Sequence, residues 1–175
     1  MNIWHDLSAD RVTPESFVSV IEISKGGKNK YELDKETGML MLDRVLFTSM
    51  HYPANYGFIP RTYADDYDPL DVLVLCSESI APMTLVDCRP IGILKMSDQG
   101  LVDEKVIAIC ASDPFYCTYT DIEEIPGHLF SEIRHFYEVY KMLENKETLV
   151  KEICGKAEAV RTIQRCIDQY KQKFQ

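Results

Sequence analysis

Residues 17–23 (FVSVIEI) and 30–33 (KYEL) have the β-branched and aromatic content of strands, and GGKN at 26–29 is a turn signal between them, so the pattern predicts a β-hairpin. Further short strands are predicted at 39–46 (MLMLDRVL), 72–76, 86–95 and 105–111, separated by loops rich in Pro, Asp and Gly. After about residue 125 the period lengthens. Leu129, Ile133, Phe136, Tyr140 and Leu143 recur at three- and four-residue spacing, the signature of one helix face. Ala157, Val160, Ile163, Ile167 and Tyr170 form the stripe of a second helix, with Gly155 as the break before it. The layout is α+β: a strand-rich first part, as in a barrel or sandwich, covered by two C-terminal helices.

Composition narrows the class. A chain of 175 residues with 46% apolar content can bury one substantial core, so residues 1–175 are expected to form a single domain. The formal net charge of −9 argues against binding a nucleic-acid backbone, which depends on clustered Lys and Arg. None of the six cysteines, at 76, 88, 110, 117, 154 and 166, forms a C-x-x-C pair, and they read as small core residues. MNIWHDLSAD lacks the apolar stretch of a secretory signal, and no apolar run approaches the ~18 residues of a membrane span. The expectation is a cytoplasmic protein without a membrane partner.

The candidate chemistry begins at DDYDPLDVLVL (65–75), which sets four carboxylates within seven positions and then enters an apolar strand. A solvated Asp/Pro turn explains such a loop by itself. If Asp66, Asp68 and Asp71 converge, however, their mutual repulsion requires a cation, and hard oxygen ligands suit Mg²⁺, Mn²⁺ or Ca²⁺. An EF-hand does not fit, because Asp71 and Ser77 occupy the positions that need Gly and Glu. A second acidic group, Asp98 and Asp103, is followed by Lys105, which shares a face with Asp103 if 103–107 is extended. Glu22, Lys30, Glu32 and Arg44 sit on strands that should be half buried, where charge is costly unless paired or solvated in a cavity. HYPANYGF adds Tyr52 and Tyr56 in a Pro/Gly-containing turn, and Tyr140-Lys141 lies late in the first helix. Carboxylates combined with fewer Lys, Arg and Tyr donors are the equipment of metal-assisted phosphoryl hydrolysis. Phosphate esters, nucleotides and pyrophosphate all remain open as substrates of a two-metal phosphohydrolase, as does a non-catalytic divalent-cation-binding module.

At these same residues the sequence resembles the soluble family I inorganic pyrophosphatases. The resemblance is carried in order by VIEI, KYELD, LDR, HYPANYGFIP, DYDPLDVLVL, RPIGILKMSDQGLVDEK and FYEVYK, over roughly residues 15–145. It implies an OB-like five-stranded closed β-barrel flanked by helices, hydrolysing pyrophosphate to two orthophosphates with several Mg²⁺ ions, for which Mn²⁺ can substitute. By motif position, Asp66, Asp71, Asp98 and Asp103 match metal ligands, and Asp68 matches the base that takes a proton from the attacking water. Lys30, Arg44, Tyr56, Lys105, Tyr140 and Lys141 match groups that hold the phosphates. Glu22, Glu32 and Tyr52 match accessory groups around a further metal or its waters. Two positions depart from the family pattern: Tyr67 replaces a small or acidic residue, and Gln99 stands where an acid often follows Asp98. Short bacterial members are usually homohexamers and eukaryotic ones dimers, so the length favours a hexamer. A second stripe of His135, Val139 and Met142 is compatible with such an interface. The resemblance fades beyond about 146 and assigns the last helix no role.

Overall fold

In the computed structural model, which describes residues 1–175, strand β1 (Phe17–Ile23) is buried along its whole length because it has a neighbour on each edge. It pairs antiparallel with β4 (Asn55–Ile59) on one side and with the first part of β6 (Leu85–Asp98) on the other. β4 continues antiparallel to β5 (Leu70–Leu75), β5 runs parallel to β7 (Leu101–Cys110), and β7 returns antiparallel to β6. These pairings close on themselves as a ring of five strands, leaving no free edge within it. β6 is long enough to pair with β1 through residues 85–88 and, through residues 92–98, with β8 (Thr148–Gly155) outside the ring.

Alternate residues of the central strands feed two cores. Leu73, Leu75, Ile107 and Ile109 pack with α2 (Gly127–Val139), while Val72, Val74, Val106 and Ala108 pack with α3 (Lys156–Phe174). The expected five-stranded ring with two C-terminal helices is therefore the observed architecture. A short N-terminal helix, α1 (Ile3–Asp6), buries Trp4. No helix is long and apolar enough to cross a membrane. All six cysteines are free, and Cys88, Cys110 and Cys166 are buried.

Several local expectations are corrected. GGKN does turn, with Gly26 at φ +81°, but β1 and β2 (Asn29–Leu33) do not form a hairpin. Both edges of β1 are already taken, so β2 pairs instead with β3 (Leu40–Val45) as a separate two-stranded ribbon. HYPANYGF is not only a turn, since its second half is β4, buried at every position. Gly57 permits this: a Cβ there would overlap the Val20 carbonyl oxygen of β1. β8 escaped prediction because its Lys and Glu residues hide a short half-buried strand between two stronger helical patterns.

The helix stripes also shift. α2 ends at Val139, and Leu143 lies beyond it in a 3₁₀ turn with 64% of its surface exposed. On α3 the buried face is Ala159, Thr162, Ile163, Cys166, Ile167 and Tyr170. Ala157 is exposed and Val160 only half-buried.

Candidate functional site

The ribbon of β2 and β3, the loop before β5, the β6–β7 hairpin and the residues after α2 surround a cavity of about 260 Å³. Each element delivers a charge because of its local geometry. Asp71, near the start of β5, is the register partner of Lys105 on the parallel strand β7. Asp103 precedes Lys105 by two positions, so both point to one face of the strand. Asp98 ends β6, and Gln99 and Gly100 form the two-residue turn to β7 with positive φ of 49° and 83°. Asp66 and Asp68 come from the loop, whose backbone is tied by an N–H donated from Asp68 to Asp66 Oδ1 at 3.2 Å.

The cavity gathers Glu22, Lys30, Glu32, Tyr56, Asp66, Asp68, Asp71, Asp98, Asp103, Lys105, Tyr140 and Lys141. It does not gather Arg44 or Tyr52. Arg44, on β3, turns to Asp43 and to Glu144, whose Oε1 lies 2.7 Å from Arg44 Nε; Arg44 Nη2 is buried without a partner. Tyr52 is buried behind the site, packed against Tyr56 and Phe136 with ring centroids 5.4 and 4.8 Å apart.

Of the two unusual positions, Gln99 is exposed at its turn. Tyr67 adopts φ 70°, is 73% exposed and leans on Tyr63 at 6.2 Å. Neither side chain lines the cavity.

Sequence reading missed Lys35. It lies in the turn between β2 and β3 and reaches the cavity only because the ribbon folds over the aspartate loop, where its ammonium pairs with Asp68. The signal available, an Asp-Lys pair after KYEL, is indistinguishable from an ordinary turn.

Seven carboxyl groups face four lysines in this cavity. Lys105 is 3% exposed and stands 2.7 Å from Asp71 and 3.1 Å from Asp103. Burial pulls its pKa down, but Asp103 and Asp71 outweigh burial and hold it well above the ordinary lysine value. Lys141 pairs with Asp98, and Lys30 with Glu32 and Asp43. Two acids have no ammonium partner. Glu22 is pushed up to about 8 by burial and by the charge of Asp71, against which its bond from the Leu33 N–H works. Asp66 is pushed up to about 6, again by burial and then by Asp71. Burial also raises the phenols of Tyr56 and Tyr140, which keeps both as protonated donors.

This donor set fits a hard divalent cation. It is all oxygen, carries surplus negative charge, and leaves Asp98 Oδ1 buried without a partner. No three acids are already arranged around a single ion, and the lysine ammoniums stand among them instead.

Comparison with known proteins gives a consistent answer. The family model for inorganic pyrophosphatase matches residues 19–171. Soluble inorganic pyrophosphatase 1 of Arabidopsis thaliana is 50% identical over 167 residues, 95% of this chain and 79% of the relative. The crystal structure of the inorganic pyrophosphatase from Thermus thermophilus superposes with a TM-score of 0.93 at 38% identity, covering 98% of this chain and 99% of the other. The enzyme from Helicobacter pylori gives 0.90 at 41% identity, covering 95% and 99%.

Proposed function

The chain belongs to the inorganic pyrophosphatase family and is an inorganic diphosphatase; we propose that the cavity described above is its active site, with Mg²⁺ as the divalent cofactor and Asp68 as the general base. Family membership implies a divalent metal. Asp66, Asp71, Asp98 and Asp103 are the residues that would hold it, and ions bound there would acidify water and neutralise phosphoryl oxygens.

The protein's own groups do the rest. Asp68 accepts the proton of the attacking water as the new P–O bond forms and the bridging P–O bond breaks, with no covalent enzyme intermediate. Lys30, Lys105 and Lys141 present ammoniums, and Tyr56 and Tyr140 donate from protonated phenols, to the phosphate oxygens. Arg44 joins them by leaving Asp43 and Glu144, which its unpartnered Nη2 favours once an anion offers better acceptors. Glu22 and Glu32 are outer acids, and Tyr52 holds Tyr56 from behind.

The observation that carries this reading is the meeting of seven carboxyls, four lysines and three phenols in one cavity. Orthophosphate release should require Mg²⁺, stop with a chelator, and be far faster from pyrophosphate than from ATP. Asp68→Asn should lower turnover by roughly 10²–10⁴-fold without changing the melting temperature. Equal release from ATP points instead to a general phosphohydrolase, and full activity in Asp68→Asn removes the base assignment. We also propose a homo-oligomer, a hexamer before a dimer, since Met39, Met41, Leu42, Val45 and Phe47 expose a large apolar surface around β3. Light scattering on purified protein decides it, and a monomer at micromolar concentration excludes it.

A further inference from the structure

Three of the four cavity lysines share one arrangement, an ammonium set against an aspartate and over an aromatic ring. Lys105 faces Asp71 and lies 5.3 Å from the Tyr56 ring, and Lys141 faces Asp98 and lies 5.4 Å from the Tyr140 ring. Lys35 faces Asp68 and lies 5.7 Å from the centre of the Trp4 ring. The first two are groups placed on the substrate above, whereas nothing so far gives Lys35 or Trp4 a role.

We propose that Lys35 is a positioning residue for Asp68, and that the N-terminal helix α1 sets its place through Trp4. The proposal rests on the reading of Asp68 as the general base.

As a contribution to stability this ion pair is minor, because both side chains are about half exposed, at 50% and 51%. A lysine stem is also too flexible to hold one geometry unaided. Here it is confined from three directions. The Lys35 carbonyl accepts a bond from Asn2 Nδ2 at 2.7 Å, pinning the turn to the N-terminus. The Trp4 ring beneath the ammonium is itself fixed: it is 4% exposed, its indole N–H donates to the Thr62 carbonyl at 2.9 Å, and Phe174 and Tyr170 of α3 pack around it. Asp68 completes the cage through Oδ1, and no protein donor binds its Oδ2. One carboxylate oxygen is thus held by lysine while the other stays available to a water proton, which is the orientation a general base needs.

The same tryptophan reaches the loop a second way. Tyr63 stacks on Trp4 at 6.4 Å and meets the Tyr67 ring at a tilt at 6.2 Å, and Tyr67 sits between Asp66 and Asp68. This contact gives the unusual Tyr67 a physical role, and it ties the end of α3 to the catalytic loop.

Trp4 is the sole tryptophan, so its fluorescence reports directly on Lys35. In full-length protein with chelator, Lys35→Met and Asp68→Asn should each shift Trp4 emission from wild type, the first by removing the ammonium and the second by releasing it. With Mg²⁺ and pyrophosphate, Lys35→Met should lower kcat by roughly 10- to 100-fold, the cost of a misplaced catalytic group. KM should stay within about twofold, the melting temperature should be unchanged, and Lys35→Arg should recover most of the rate. Unchanged kcat in Lys35→Met, a loss carried by KM, or identical emission in all three proteins overturns the proposal. A fully active Asp68→Asn removes the premise instead; a silent Lys35→Met beside a crippled Asp68→Asn removes only this inference.

Discussion

Lys105 Nζ stands 2.7 Å from Asp71 Oδ2, its register partner across the parallel β5–β7 pair, and shares its charge with Asp103 at 3.1 Å. A buried ammonium therefore separates two carboxylates that would otherwise repel each other, as a bound cation would in the proposed active site.

Lys105→Met tests that relationship. Breaking a buried ion pair leaves uncompensated charge and costs about 3–5 kcal/mol. Urea unfolding in chelator should show a loss of that order, and Mg²⁺ should restore more stability to the variant than to wild type. A loss under about 1 kcal/mol means that the two aspartates find water once the lysine is gone.

Glu22 makes metal-free stability depend on pH in an unusual direction. Its carboxyl titrates near 4.5 when unfolded and near 8 when folded, so between those values the folded chain binds the extra proton. Stability then falls as pH rises through the window. Glu22→Gln should flatten this slope and be more stable than wild type at pH 8, by urea midpoints in chelator at pH 5.5 and 8. Parallel slopes for the two proteins contradict the assignment.

Asp66, at about 6, sets a proton against the metal. Because metal binding needs the carboxylate, the Mg²⁺ concentration for half-maximal activity should rise as pH drops below 6, approaching about tenfold per pH unit for a single competing proton. Asp66→Asn should need more Mg²⁺ at pH 7 and lose most of this pH dependence. Activation curves at several pH values measure both effects, and a dependence that survives the substitution belongs to another acid.

At Gly57 the backbone of β1 leaves no room for a side chain on β4. In Gly57→Ala the new methyl meets the Val20 backbone oxygen, which cannot swing aside as a side-chain tip would. The expected cost is at least about 3 kcal/mol, the upper end of ordinary overpacking. Wild-type stability in this variant means that the ladder shifts to accommodate it.

Part of the site was legible from residue spacing. Asp103 and Lys105 sit two apart on an extended segment, so their common face follows from strand geometry. The partnership of Lys105 with Asp71 does not, because it depends on a parallel register between segments 34 positions apart. β4 was obscured for a related reason: Pro53 and Gly57 are turn formers by type, and only the approach of β1 makes a glycine necessary within a strand. By residue type alone, Lys35 and Trp4 carry no signal of a shared site. Their meeting over Asp68 needs the N-terminus, the β2–β3 ribbon and α3 to be assembled first.

By itself the sequence determined the kinds of groups available, the strand and helix periods that carry them, and, through its motifs, the family and the reaction. Those are properties of residue type and of short-range spacing, and they survive without knowledge of any partner. The tertiary structure alone decided which ammonium faces which aspartate, that Arg44 turns toward Glu144 and Tyr52 into the core, and that Glu22 and Asp66 have no ammonium partner. Burial and pairing are relations between distant segments, and a buried charge takes its behaviour from the neighbours the fold supplies.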